Sequence, residues 1–120
     1  MTILYGYPKC TTCRKAKNFL KENDIPFEDI NLVKNPPSGE KISEMAEKSG
    51  KSLNEFFNSR GKKFKELNLK TRLDTLSDDE KLSLLEADGL LIKRPLLYRE
   101  ETILLGFKEA EYRRTFDMDD

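Results

Sequence analysis

Two cysteines three residues apart, held in Tyr5-Gly6-Tyr7-Pro8-Lys9-Cys10-Thr11-Thr12-Cys13-Arg14, are the only cysteines of the chain and sit where one kind of pattern gives way to another. The apolar run Thr2 to Tyr5 precedes them. After them Ala16, Phe19 and Leu20 fall at i, i+3 and i+4, with Cys13 one turn before Ala16 on the same face. The spacing predicts a strand, a turn and a helix, with Cys10 at or just before the helix N-terminus. Unpaired backbone N–H groups and the positive end of the helix dipole there favour a thiolate over a thiol, and Lys9 and Arg14 add positive charge. Cys13, one turn into the helix, is then close enough to attack an adduct formed on Cys10. That is the division between an attacking and a resolving thiol.

Three readings compete for the pair. A CxxC after a strand in a cytosolic chain is a thioredoxin-like redox motif. Half of a zinc site is the second, but four-coordinate zinc needs two more ligands and the chain has no His and no further Cys, so only an intermolecular metal site survives. Inert small hydrophobes, or a local disulfide of little consequence, are the third. A disulfide closing so small a loop constrains the unfolded chain very little.

Charge narrows the classes further. The 120 residues carry 22 Lys+Arg against 22 Asp+Glu, so nothing global steers the molecule toward direct nucleic-acid binding or an anionic membrane. The start, Met1-Thr2-Ile3-Leu4-Tyr5, lacks the basic opening and long apolar core of a signal peptide, and no apolar run approaches ~20 residues. The expectation is a cytoplasmic protein whose dithiol rests mostly reduced and acts transiently. A chain of this length is one domain by the length prior and buries roughly two-thirds of its unfolded surface without a staple.

Further along, Asn23-Asp24 and Ile25-Pro26 stop the first helix, and residues 27–32 read as a second strand, parallel to the first in a βαβ unit. Ser38 caps a helix with Ile42, Met45 and Ala46 on its apolar face and Gly50 as its stop. Ser52 with Glu55 forms a capping box before Phe56 and Phe57, so a short helix is expected. Residues 58–63 form a polar, basic loop containing Arg60, either a solvated surface or an anion or partner site. Leu67, Leu69, Leu73 and Leu76 lead to a second capping box, Ser77 with Glu80, and a helix carrying Leu82, Leu84 and Leu85 that Asp88-Gly89 closes. These leucines read as core. Residues 90–98, a turn at 99–101 and residues 102–106 read as a β-hairpin. A last helix from Lys108 to about Phe116 turns Tyr112 and Phe116 inward, and 117–120 is an acidic tail expected to fray. The outcome is a single domain over 1–116 with a helical insertion at about 38–88.

With β-α-β first, a helical block inserted and β-β-α last, this order matches the α/β thioredoxin-like fold, built on a mixed four-stranded sheet. Residues 7–16 (YPKCTTCRKA), Lys93-Arg94-Pro95-Leu96 and Leu105-Gly106-Phe107-Lys108-Glu109 together resemble the arsenate reductase (ArsC) family, especially its Spx/MgsR-like branch of regulators. That resemblance covers essentially the whole chain. It implies that Cys10 is the nucleophile, that Cys13 stands where the regulators carry a second redox cysteine, and that Arg94 precedes a cis proline, Pro95, facing the active cysteine. The implied enzyme is a thiol-disulfide oxidoreductase or arsenate-reductase-like protein in which Arg14 and Arg94 hold negative charge beside the thiolate. No imidazole is available as base. It binds no cofactor or metal, is a monomer, and draws electrons from an external thiol reductant, glutathione with glutaredoxin or thioredoxin. The family's glutaredoxin-linked reductases use two further arginines; in an ungapped reading those positions are Asn58 and Phe107, with Arg60 and Lys108 nearby. The alternative is a redox-sensing transcriptional regulator. There Gly50 falls where the regulators carry a glycine that docks on the C-terminal domain of the RNA polymerase α-subunit, with Arg60 a second docking candidate, although the chain lacks their longer basic tail.

Overall fold

A computed structural model describes residues 1–118. Strand β1 (Thr2–Gly6) leads through the cysteine turn into helix α1 (Thr11–Glu22), and β2 (Glu28–Asn31) returns parallel to β1. Helices α2 (Gly39–Ser49), α3 (Lys62–Glu66), α4 (Leu69–Arg72) and α5 (Asp78–Ala87) form the insertion. Strands β3 (Leu96–Arg99) and β4 (Thr102–Leu105) and helix α6 (Glu109–Thr115) close the chain. The sheet order is β2-β1-β3-β4, with β3 antiparallel to both β1 and β4. This is the expected mixed four-stranded, thioredoxin-like α/β architecture.

Alternation along the strands sorts their side chains onto two faces. Leu4, Leu97 and Leu104 join Ala16, Phe19 and Leu20 of α1 and Tyr112 of α6 in one apolar cluster. Tyr5, Leu96 and Ile103 face the other way, into a larger cluster with Ile42, Met45, Phe56, Phe57, Leu69, Leu85, Leu91 and Ile92. The insertion's leucines are thus core, and the sheet is sandwiched between α1 with α6 and the inserted helices.

The predicted helix signals act as local chemistry requires. Ser38 Oγ accepts the Lys41 N–H at 3.1 Å, and Gly50, at φ 71°, closes α2 by donating its N–H to Ala46 O at 3.0 Å. Both capping boxes form, Ser52 with Glu55 opening a 3₁₀ turn at Leu53–Phe56 and Ser77 with Glu80 opening α5. Asp24, at φ 54°, ends α1 without a glycine: its N–H bonds Lys21 O and the Ile25 N–H bonds Leu20 O at 2.9 Å, the paired bonds of a Schellman turn. The Glu86 carboxylate accepts the Gly39 N–H at 2.8 Å and ties α5 to the start of α2.

Three boundaries differ from the expectation. The apolar run at 90–98 is not one strand: residues 89–91 form a 3₁₀ turn and β3 begins only at Leu96. Its backbone pairs with the insertion instead, Asn58 N–H to Leu91 O at 2.7 Å and Lys93 N–H to Phe56 O at 2.8 Å, and Pro95 has no N–H to give a ladder. Arg99 belongs to the strand, leaving a two-residue turn whose Glu100 lies at φ 54°. In the basic segment the loop ends at Gly61, because α3 starts at Lys62. At φ 53° Asp117 turns the chain, Met118 N–H bonds Arg113 O at 2.9 Å, and the Met118 side chain packs on the Tyr112 cluster. The rest of the expected tail, residues 119 and 120, lies outside the described residues. Among those described, no helix is long and apolar enough to cross a membrane.

Candidate redox site

Strand β1 delivers the chain to the site at Gly6, where a side chain would press on the second cysteine: a Cβ there would stand 3.4 Å from Cys13 Cβ and 3.7 Å from its Sγ. The Cys10 N–H bonds Tyr7 O at 3.0 Å and closes the turn. Cys10 then serves as the N-cap of α1, in extended conformation, with its Sγ accepting the Cys13 N–H at 3.2 Å. Sulfur takes the place a Ser or Asp oxygen usually holds, so the first-turn N–H groups that need an acceptor are offered to it.

The two thiols are free but differ in surroundings. Cys10 is half-buried at the surface, whereas Cys13 is 5% exposed. Burial pushes the Cys13 thiol up from an ordinary 9.0 to about 12; its hydrogen bond with Cys10 adds to this, and a backbone bond with Tyr7 and the charge of Arg94 oppose it. Cys13 therefore rests as a neutral thiol behind an N-cap sulfur.

Pairing of Tyr5 with Leu96 places Pro95 across from Gly6, next to the cysteine turn, and the Arg94–Pro95 bond is cis. Pro95 O accepts the Gly106 N–H at 2.8 Å. The half-buried Arg94 lays its guanidinium 5.4 Å from the centre of the Tyr7 ring and donates from Nη1 to Leu90 O at 3.4 Å. Its Nε–H is buried with no partner among the described residues. Such a donor is costly to leave unpaired, and a ligand atom beside Tyr7 would satisfy it. Arg14 is exposed and braces the turn, donating to Pro8 O at 2.9 Å and to Thr11 Oγ1 at 3.4 Å.

The remaining residues singled out in the sequence do not join this constellation. Phe107 stacks on Tyr112 at 4.8 Å between ring centres and on Phe19 at 5.9 Å, so its side chain belongs to the apolar cluster. Asn58 is structural: its N–H bonds Leu91, and Gly61 packs so closely that a Cβ would come within 2.7 Å of Asn58 Nδ2. Arg60 and Lys108 are exposed. Gly50 lies at the exposed C-terminus of α2 with nothing within 4 Å of a Cβ.

Sequence reasoning passed over Tyr7, Gly6, Lys17 and Asp29. Tyr7 stacks under Arg94. All four border a cleft of about 310 Å³ between α1 and β2, which touches Cys13 and not Cys10. A glycine ending a strand beside a CxxC was the one available signal.

Comparison with known proteins decides the family: the ArsC family model matches residues 5–115. The chain belongs to the ArsC family. Among similar proteins, the uncharacterized protein YusI of Bacillus subtilis is 47% identical over 112 residues, covering 93% of this chain and 95% of YusI. The global transcriptional regulator Spx of Lactiplantibacillus plantarum is 37% identical over 114 residues, covering 95% of this chain and 85% of that protein. A crystal structure from Streptococcus mutans UA159, described as a possible arsenate reductase, superposes with a TM-score of 0.89 at 43% identity, covering 97% of this chain and 98% of that one.

Proposed function

We propose that this ArsC-family chain is a thiol-disulfide oxidoreductase. The observation that carries the proposal is the asymmetry of the pair: a half-exposed sulfur capping α1 and a buried neutral thiol one turn behind it. In the forward reaction the Cys10 thiolate attacks a partner disulfide. A bond forms between Cys10 and one partner sulfur, and the other leaves as a thiolate that takes up a proton. Cys13 then attacks the Cys10 sulfur and forms the Cys10–Cys13 bond. The second partner sulfur departs with the electron pair and accepts the proton that Cys13 gives up. The partner is reduced by two electrons, and an external thiol reductant restores the dithiol. The unpartnered Nε–H of Arg94 is a donor for an anionic group of the partner at the Pro95 corner.

Arsenate fits less well as a substrate. Of the positions where glutaredoxin-linked reductases of the family carry further arginines, one holds Asn58, engaged in backbone packing, and the other holds Phe107, half-buried against Phe19 and Tyr112. Turnover is measured with a mixed-disulfide substrate and with arsenate, each with glutathione plus glutaredoxin and separately with thioredoxin. Disulfide turnover is expected, lost in Cys10→Ser, with a trapped mixed disulfide accumulating in Cys13→Ser. Turnover that survives Cys10→Ser overturns the assignment.

A second reading, a redox-responsive regulator, is favoured by the 37% identity to Spx and by the exposed left-handed Gly50 closing α2. It requires binding to the C-terminal domain of the RNA polymerase α-subunit, and that binding must differ between the dithiol and the disulfide. A pull-down under both conditions decides it, and absence of binding in both retires it.

A further inference from the structure

The proposed cycle leaves one step undefined, namely which sulfur of the oxidised pair receives the recycling thiol. Two observations bear on it. The first concerns leaving groups: exchange is faster when the departing thiol is the more acidic one. Attack on Cys10 must expel Cys13, whose surroundings hold its thiol at about 12. Attack on Cys13 expels Cys10 into the N-cap position, where its sulfur already accepts a first-turn N–H. The second is access. The cleft between α1 and β2 has Cys13 in its wall and not Cys10, so a thiol entering it meets Cys13, and attack there spares the buried Cys13 sulfur from having to depart. Gly6 keeps this approach open, since its missing side chain would stand 3.7 Å from Cys13 Sγ.

The walls also say what kind of thiol fits. Arg14 and Lys17 on α1 face Asp29 and Asn31 on β2 across about 310 Å³, enough for a small amino acid. Lys17 and Asp29 now satisfy each other at 2.5 Å, with their side chains 38% and 44% exposed, so the pair is cheap to open. A zwitterion can replace it, its carboxylate on Lys17 and Arg14 and its ammonium on Asp29.

We propose that the cleft between α1 and β2 is an entry port for a small zwitterionic amino-acid thiol, which reduces the Cys10–Cys13 disulfide by attacking Cys13. This rests on the redox reading above. The incoming thiolate forms a bond to Cys13 as the Cys13–Cys10 bond breaks, and the electron pair leaves on Cys10. A second thiol of the same class then attacks the ligand's sulfur, freeing Cys13, which takes up a proton. Two thiols are oxidised to one disulfide and the protein gains two electrons.

The test oxidises the whole protein and mixes it with L-cysteine, with cysteamine, which lacks the carboxylate, or with 3-mercaptopropionate, which lacks the ammonium. Samples are acid-quenched within the first turnover, and the adduct is located by peptide mass spectrometry. The adduct is expected on Cys13. L-cysteine should react at least about threefold faster than either truncated thiol after correction for thiolate fraction, each exposed charge contact being worth a few-fold at most. Lys17→Met and Asp29→Asn should erase that preference, and Gly6→Ala, which the contact distances tolerate, should slow L-cysteine. A first adduct on Cys10 overturns the port and leaves the redox reading standing. An adduct on Cys13 without a zwitterion preference overturns the ligand class. If mild oxidation forms no Cys10–Cys13 disulfide, both proposals fall together.

Discussion

Cys10 and Cys13 are chemically alike in the unfolded chain, and folding separates them. One side chain caps a helix at the surface; the other turns inward beside Ala16 and Phe19. Alkylation of the native, reduced protein at pH 7.5 should therefore fall first on Cys10, with Cys13 labelled far more slowly because burial keeps its thiol protonated. Early labelling of both would contradict the assigned roles. Burial also makes Cys13 a stability determinant in alkali. Because its thiol is raised from 9.0 to about 12 in the folded state, the unfolded chain loses that proton first and binds fewer protons than the native state between those values. Stability must then fall as pH rises from about 9 to about 12, by at most about 1.4 kcal/mol per pH unit from this one group. Tyr112 acts in the same direction, its phenol pushed upward first by burial and then by the neighbouring Cys13. Urea titrations across this range should show the decline, with a shallower slope in Cys13→Ala; an unchanged slope would mean Cys13 ionises normally. The spacing of the cysteines was readable because a helix turn carries them to one end of one face. The unpaired hydroxyl of Tyr112 was not, since only packing against β1, α1, β3 and β4 decides where a phenol ends.

Elements were legible where their ends carry their own chemistry. Ser38, Ser52 and Ser77 each open a helix or 3₁₀ turn within one turn of sequence, so nothing distant has to be known. The run at 90–98 departs from its strand-like pattern for the opposite reason. Its partners, Phe56 and Asn58, lie more than thirty positions earlier, and a strand-like apolar stretch does not reveal that its hydrogen bonds go there. Gly89 marks that same junction. A Cβ on it would sit 2.1 Å from Leu32 O and 2.8 Å from Leu32 C, both rigid backbone, so Gly89→Ala should cost about 3 kcal/mol or more as the 3₁₀ turn is forced off β2's exit. Gly50 differs: nothing lies within 4 Å, and only its φ of 71° resists a side chain, so Gly50→Ala should cost about 1 kcal/mol. Equilibrium unfolding of the two variants checks the order, and equal losses would show that the turn at Gly89 has room to move.

At the scale of the molecule, the order of elements was readable from period changes alone, while the sharing of one core between sheet and insertion was not, because a helical block over 38–88 could equally have packed on itself. The larger cluster shows why it does not. Ile42, Phe57 and Leu85 from the insertion, Ile92 just beyond it, and Tyr5, Leu96 and Ile103 from the sheet are all buried in one apolar body. The insertion has no second core to retreat into, so its loss must expose the face of β1, β3 and β4 that it covers. Leu85, fully buried on α5, isolates this dependence, since its truncation touches no residue of the cysteine turn. Leu85→Ala should lower global stability by about 2–5 kcal/mol. Native-state hydrogen exchange should show the slowest amides of β1 and β3 losing protection by the same amount as those of α2 and α5, as expected of a single cooperative unit. Were protection to fall only in α2 and α5, the insertion would be a separately opening unit, and the Cys10–Cys13 site on β1 and α1 would keep its geometry without it.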